Sequence, residues 1–323
     1  MSKKQQKVVI TDCDHPSVEI ERKVLSEIDP EFLLVHCNTE DGVIEAAKDA
    51  DGIINQYAPI TRRVIESLKK CKVIARYGVG VDNIDVEAAT EHKIIVANVP
   101  DYCVDEVSTH AIALILACAR GITLLDNKIR EKRWDFTLAK PLFRTKGKTL
   151  GLFGLGRIAR AVAQKASGFA FKLIAYDPYV SKVNREIKLV KFSQLLSDSD
   201  FISIHSPLTD ETRHSFGKNE LKNMKKTAYL INTARGPIVD EEALYQALKK
   251  RWIAGAALDV MEKEPPDWEN SLLKLDNLIV TPPISFYSEE SYVELKTKAA
   301  QAVLSVLKGE LPRAIVNPQV VKG

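Results

Sequence analysis

The sequence predicts an α/β protein made of two doubly wound parallel-sheet domains with a cleft between them. Three observations carry this reading. Short apolar runs alternate with amphipathic segments through the first hundred residues. After a long apolar segment the alternation restarts at Thr149. The restart opens on Gly154-Leu155-Gly156-Arg157-Ile158-Ala159, a glycine turn between an apolar run and a helical pattern. Strand runs separated by helical segments form parallel sheets covered on both faces.

In the first series, strands are expected at 8–11, 32–35, 52–55, 72–75 and 94–97. Pro16-Ser17 opens a helix with Ile20, Val24, Leu25 and Ile28 on one face. Val43, Ile44 and Ala47 mark the next helix, and further helices fall at 61–68 and 85–91. Val104 to Arg120 is too apolar for a solvated helix and stops at Gly121, so burial in a domain or subunit interface is expected. The second series holds six strands, at 149–153, 172–176, 201–204, 228–232, 254–258 and 278–281. The segment 289–308 is amphipathic through Val293, Ala299, Val303 and Leu307 and has no strand partner of its own, so it is expected to return to the first domain.

Composition limits the function classes. The 323 residues are 45% hydrophobic and 28% charged, ordinary for a globular protein. Forty-six basic against 43 acidic residues leave a net charge of +3, which argues against a dedicated nucleic-acid binder. The longest apolar stretch, 111–119, is far below the roughly 20 residues of a membrane span. Val8-Val9-Ile10 is too short for the core of a secretion signal. The five cysteines are scattered without metal-ligand spacing. No metal and no membrane contact are expected, and reduced thiols in a cytoplasmic protein are the expected state.

Gly154, Gly156 and Ala159 fit the G-x-G-x-x-A pattern of a Rossmann-like dinucleotide site. Gly154 permits the tight turn, Gly156 lets backbone N–H groups approach a pyrophosphate, and Ala159 allows close helix–strand packing. The helix N-terminus supplies partial positive charge and free donors. The second strand of the series ends at Asp177, 177 − 156 = 21 residues on, where an acid meets the adenosine ribose. A carboxylate there accepts from a 2′-hydroxyl and repels a 2′-phosphate. The neighbours Pro178 and Tyr179 offer no arginine, so NAD is expected over NADP.

The chain resembles the D-isomer-specific 2-hydroxyacid dehydrogenase family over nearly its whole length. Besides the glycine loop, four motifs carry the likeness: Arg76-Tyr77-Gly78-Val79-Gly80-Val81-Asp82-Asn83, Ser199 to Thr209 with its His205-Ser206-Pro207, Met224 to Gly236 ending in Asn232-Thr233-Ala234-Arg235-Gly236, and Asp259-Val260-Met261-Glu262-Lys263-Glu264-Pro265. Asn98-Val99-Pro100-Asp101-Tyr102-Cys103 and Phe286-Tyr287-Ser288-Glu289-Glu290-Ser291 are most similar to the branch related to the C-terminal-binding proteins. Phosphoglycerate and hydroxypyruvate/glyoxylate dehydrogenases are relatives of that branch.

The resemblance implies a flavodoxin-like substrate domain, 1–100 plus 288–323, around an NAD-binding domain at 101–287. It implies a homodimer built on the 104–120 region and a small 2-hydroxy/2-oxo acid as substrate. It places Tyr77, Gly78, Val79, Gly80 and Phe286 at the substrate. Around the cofactor it places Thr109, Arg157, Ile158, Ser206, Pro207 and Thr212 beside the glycines and Asp177. It adds Thr233, Ala234, Arg235, Asp259 and Ser285 toward the nicotinamide. Arg235 also suits the substrate, because its planar fork binds a carboxylate bidentately and keeps its charge. The family's proton donor is a histidine paired with a glutamate, and Glu264 stands at the glutamate position.

The histidine is absent. Where the family reads Thr-Pro-His, this chain reads Thr281-Pro282-Pro283-Ile284-Ser285. A proline side chain neither donates nor relays a proton. Pro283 leaves three readings: another group such as Tyr287 supplies the proton, the reaction needs no such group, or the protein binds NAD(H) as a sensor or regulator. His205 and His110 read as packing residues.

Overall fold

Five runs, β1 (Lys7–Ile10), β2 (Glu31–Leu34), β3 (Gly52–Asn55), β4 (Val73–Arg76) and β5 (Ile95–Ala97), pair in parallel in the order β2-β1-β3-β4-β5. Val8, Val9 and Ile10 are fully buried, because both faces of the sheet are covered. The connections are α1 (Glu19–Leu25), α2 (Glu40–Ala47), α3 (Arg62–Ser67) and α4 (Val86–Glu91). Thr39 and Asp85 cap α2 and α4 by accepting from the N–H groups of Gly42 and Ala88. The computed structural model describes residues 5–14, 17–183 and 185–321, so the helix opening expected at Pro16 lies outside the described residues.

The face of α1 differs from its apolar pattern. Leu25 is buried, but so is Glu21, at 0% exposure. Its carboxylate meets Lys296, also 0% exposed, at 3.3 Å, and accepts from the Tyr77 hydroxyl at 2.5 Å. Removing one partner of such a buried pair strands the other charge, which is why both stay.

The second series begins with α5 (Val104–Arg120) and α6 (Ile122–Arg130), separated by Gly121 at φ +61°. It continues as β6 (Thr149–Phe153), α7 (Arg157–Ser167), β7 (Lys172–Tyr176), β8 (Ile187–Leu189), α8 (Phe192–Asp198) and β9 (Phe201–Ile204). Then come α9 (Lys218–Asn223), β10 (Tyr229–Asn232), α10 (Glu241–Lys249), β11 (Gly255–Leu258) and β12 (Leu278–Val280). The parallel sheet has seven strands rather than the expected six, in the order β12-β11-β10-β9-β6-β7-β8. The addition, β8, is three residues long, too short for its alternation to register in the sequence. Ala111, Ile112 and Ile115 of α5 share one core with Leu150, Ala159 and Val162, so α5 is a core helix of its own unit. No single helix among the described residues is long and apolar enough to cross a membrane.

The strand order reverses between β6 and β9, which pair directly through Phe153 and Ile204. Ligands of open α/β sheets bind outside the carboxyl ends of the strands at such a reversal. The chain closes with α11 (Glu289–Leu307), started by a Ser288–Ser291 capping box. Its buried face is Leu295, Ala299, Val303 and Leu307, while Val293 is 50% exposed, contrary to the amphipathic reading. It lies on the first sheet: a Cβ on Gly52 would come within 2.8 Å of Val303 Cγ1. The two compact units are therefore Met1–Cys103 with Ser288–Gly323, and Val104–Tyr287.

Candidate active site

At the reversal, Gly154 has φ +87°, and a Cβ there would lie 2.9 Å from the His205 and Ser206 backbone. Only glycine lets the end of β6 pass this close to the segment after β9. A Cβ on Gly156 would meet nothing within 4 Å, so the space over the turn is open to a ligand. α7 starts there with no side-chain cap, leaving the N–H groups of Arg157 and Ile158 directed out of its first turn. The hydroxyls of Ser206 and Thr233 are buried without a hydrogen-bond partner. Orphaned hydroxyls on the segments after β9 and β10, together with the open helix N-terminus after β6, fit a dinucleotide, whose phosphate, ribose and amide groups satisfy them.

Asp177 accepts from the N–H of Leu155 at 2.8 Å and of Tyr179 at 2.9 Å, so it braces the glycine turn. Asp177→Ser is expected to narrow the preference for NADH over NADPH by removing charge repulsion; comparison of the two Kd values by nucleotide fluorescence checks this. Equal affinities in the wild type would refute the role of the carboxylate. Thr212 donates to the Pro207 carbonyl at 2.7 Å, shaping the exposed turn that carries Pro207. Thr109 departs from its expected place. Its hydroxyl accepts from Lys165 in the last turn of α7, so it is not among the groups gathered at the glycine turn.

A second cluster forms beyond β10 and β11. The Asn232 side chain donates to the Arg235 carbonyl at 2.9 Å and accepts from the Ala234 N–H at 3.0 Å, which folds 233–235 into a fixed loop. A Cβ on Gly236 would sit 2.0 Å from the backbone of Met261, so this loop lies directly against the one carrying Glu264. Gly236→Ala is expected to destabilise the fold by at least about 2 kcal/mol, because the obstacle is backbone and cannot rotate away; denaturant unfolding measures it. Partial burial raises the Glu264 pKa. The Met261 N–H, donating at 2.8 Å, opposes this, Asp259 adds to the rise, and Arg235 offsets it.

Asp259 is the hub of the adjoining loop. Its Oδ1 accepts from the Thr281 hydroxyl at 2.7 Å and the Ile284 N–H at 3.2 Å, and its Oδ2 from the Ser285 N–H at 3.1 Å. His110 Nε2 lies 3.4 Å from the same Oδ1 and 3.3 Å from Thr281 Oγ1. Burial alone would raise the Asp259 pKa, but these bonds, led by His110, hold it below the usual carboxylate range. His110 is thus not the apolar packing residue its helix suggested. Pro282, Pro283 and Ile284 are exposed on this loop. His205 Nε2 lies 2.8 Å from the Ser203 hydroxyl, and burial pushes its pKa down to about 3, so it stays neutral and is no proton donor at neutral pH.

In the first unit, Gly78 holds φ +139°, where a Cβ would collide with the Arg76 guanidinium. The Val79 carbonyl accepts from Asn98 at 2.6 Å. Among the described residues no hydrogen bond uses the N–H of Val79 or Gly80, so both remain available to an anion. Tyr77 does not join them: its side chain turns into the core toward Glu21, a correction to its expected place at the substrate. Phe286 is half-buried in the second unit, edge-on to Tyr287 with ring centroids 6.4 Å apart.

The model of the D-isomer-specific 2-hydroxyacid dehydrogenase NAD-binding domain matches residues 112–285. A glyoxylate reductase of Korarchaeum cryptofilum is 38% identical over 320 residues, covering 94% of this chain and 95% of that protein. A D-3-phosphoglycerate dehydrogenase of Methanocaldococcus jannaschii is 43% identical over 316 residues, covering 96% of this chain and 59% of that protein. Among solved structures, an acyclic imino acid reductase in complex with NADPH and D-Arg superposes with a TM-score of 0.88 at 28% identity, covering 96% of this chain and 100% of that one. A D-lactate dehydrogenase of Aquifex aeolicus complexed with NAD and lactic acid gives a TM-score of 0.86 at 26% identity, covering 96% and 99%. This chain belongs to the D-isomer-specific 2-hydroxyacid dehydrogenase family and carries its NAD-binding domain.

Proposed function

We propose that the protein is an NAD(H)-dependent oxidoreductase of small 2-hydroxy/2-oxo acids in which Pro283 stands where the family has its histidine. The observation that carries the reading is the packing of the Arg235 loop on the Glu264 loop through Gly236. NAD, when bound, supplies or receives the hydride at its nicotinamide ring. In the second unit Arg235 holds the substrate carboxylate and polarises the carbonyl oxygen; in the first, the N–H groups of Val79 and Gly80 are donors on offer to an anion. Asp259 fastens the Thr281–Ser285 loop, and its own orientation is set by His110. The test is NADH oxidation against glyoxylate, hydroxypyruvate and pyruvate, with the hydroxy acids identified by mass. Slow but measurable turnover is expected.

Pro283 also favours a second reading, an NAD(H)-binding sensor or regulatory protein. NADH binding without turnover on any hydride acceptor would support it over the enzyme. The structural likeness to an imino acid reductase supports including C=N as well as C=O acceptors in that test. A homodimer is the assembly we propose: Trp134 is 92% and Phe136 72% exposed just after α6, apolar area that a second copy would cover. A cytoplasmic protein without nucleic-acid or membrane partners completes the proposal.

A further inference from the structure

We infer that the preferred hydride acceptor of this site is a 2-imino acid in its cationic iminium form, rather than a 2-oxo acid. The inference rests on the oxidoreductase reading above and names its substrate class. Hydride addition to a carbonyl carbon leaves an alkoxide, so a proton must arrive as the bond forms. Hydride addition to an iminium carbon leaves a neutral amine, and no proton is needed in that step.

The residues of the second unit match the latter demand. Pro283 removes the imidazole from the loop after β12, and the replacement has no titrating group. His205 cannot stand in, because burial keeps it neutral and Ser203 engages its Nε2. His110 is turned toward Asp259 and Thr281. The guanidinium of Arg235 is electrostatically coupled to Glu264, which in turn feels Asp259, and Tyr287, 44% exposed on the segment after Pro283, carries a neutral phenol rather than an imidazolium. In a histidine–glutamate pair the imidazolium brings a positive charge to the glutamate. Here Glu264, its pKa raised, has the Met261 N–H as its backbone donor. A substrate N–H⁺ supplies both the charge and the donor that Pro283 withholds, while Arg235 remains for the substrate carboxylate.

The step balances without a group from the chain. The hydride from the reduced cofactor forms the new C–H bond, and the C=N π pair becomes the nitrogen lone pair. The iminium is reduced, NADH is oxidised to NAD⁺, and the released amine takes its proton from water. Glu264 neither gains nor loses a proton in the step.

Pyruvate and NADH, with and without methylamine at alkaline pH, provide the test, with lactate and N-methylalanine quantified by mass spectrometry. N-methylalanine is expected to form at least about tenfold faster than lactate, since the carbonyl route lacks general acid catalysis, typically worth about 10² to 10⁴. Glu264→Gln is expected to lower the N-methylalanine-to-lactate ratio, and Pro283→His to lower it by raising lactate. In calorimetry without cofactor, N-methylalanine is expected to bind the wild type more tightly than lactate does, and Glu264→Gln to erase the difference. Lactate as the main product in the presence of methylamine would overturn the iminium inference and leave the oxidoreductase reading intact. Equal binding of the two ligands would also count against the iminium inference alone. Failure to form either product, with NADH bound, would overturn both.

Discussion

Arg235→Ala is expected to lower kcat/KM for any 2-oxo or 2-imino acid by about 10² to 10³. Such losses follow when one preorganised donor to developing negative charge is removed. With the two tasks proposed for the side chain, the substrate carboxylate and the carbonyl oxygen, KM should rise and kcat should fall together. The guanidinium gives the loop one bond, from Nη1 to the Ala234 carbonyl at 2.7 Å, and other contacts hold it as well. Asn232 fixes the loop through the Arg235 and Ala234 backbone, and Gly236 seats it against Met261. Folding and NADH affinity should therefore change little, which fluorescence titration and thermal unfolding would show. Arg235→Lys should restore charge but not the bidentate fork, and recover only part of the rate. An Arg235→Ala enzyme with wild-type kcat/KM would remove Arg235 from the site.

Pro283→His should raise the rate of 2-oxo acid reduction by as much as 10² to 10⁴, the usual range for a positioned general acid. The loop around it is held independently of residue 283. Thr281, Ile284 and Ser285 all donate to Asp259, so the histidine enters a fastened segment. Proline restricts φ and offers no backbone donor, and both constraints are lifted in the variant. Glu264, at the family's glutamate position, is the partner proposed to hold the new imidazole in its protonated form. The double variant Pro283→His with Glu264→Gln should lose most of the gain. Rapid wild-type turnover on glyoxylate would instead mean that another group donates the proton. Tyr287, 44% exposed on the same segment, is the first candidate, and its Phe variant decides.

The parts of this protein legible in the sequence are those in which the chain speaks to its near neighbours. A strand buried on both faces must be a continuous apolar run, so Val8-Val9-Ile10 and Gly52-Ile53-Ile54 declare themselves. A turn at positive φ must be glycine, so Gly154 marks the nucleotide end of β6. Asp177 follows within the same strand–helix–strand unit and braces that turn. That residue 283 is a proline is likewise a fact of sequence alone. The tertiary structure decided whatever depends on side chains distant in the chain. His110 and Thr281, 171 positions apart, meet over Asp259, and the apolar pattern of α5 could not announce a polar partner at its edge. Glu21 looks like a solvated charge on α1 until α11 brings Lys296 against it. Tyr77 sits in a loop motif whose backbone faces outward while its ring fills the core, and Thr109 is drawn to Lys165. A buried polar group must find a partner wherever the fold places one, and local periodicity carries no record of where that will be.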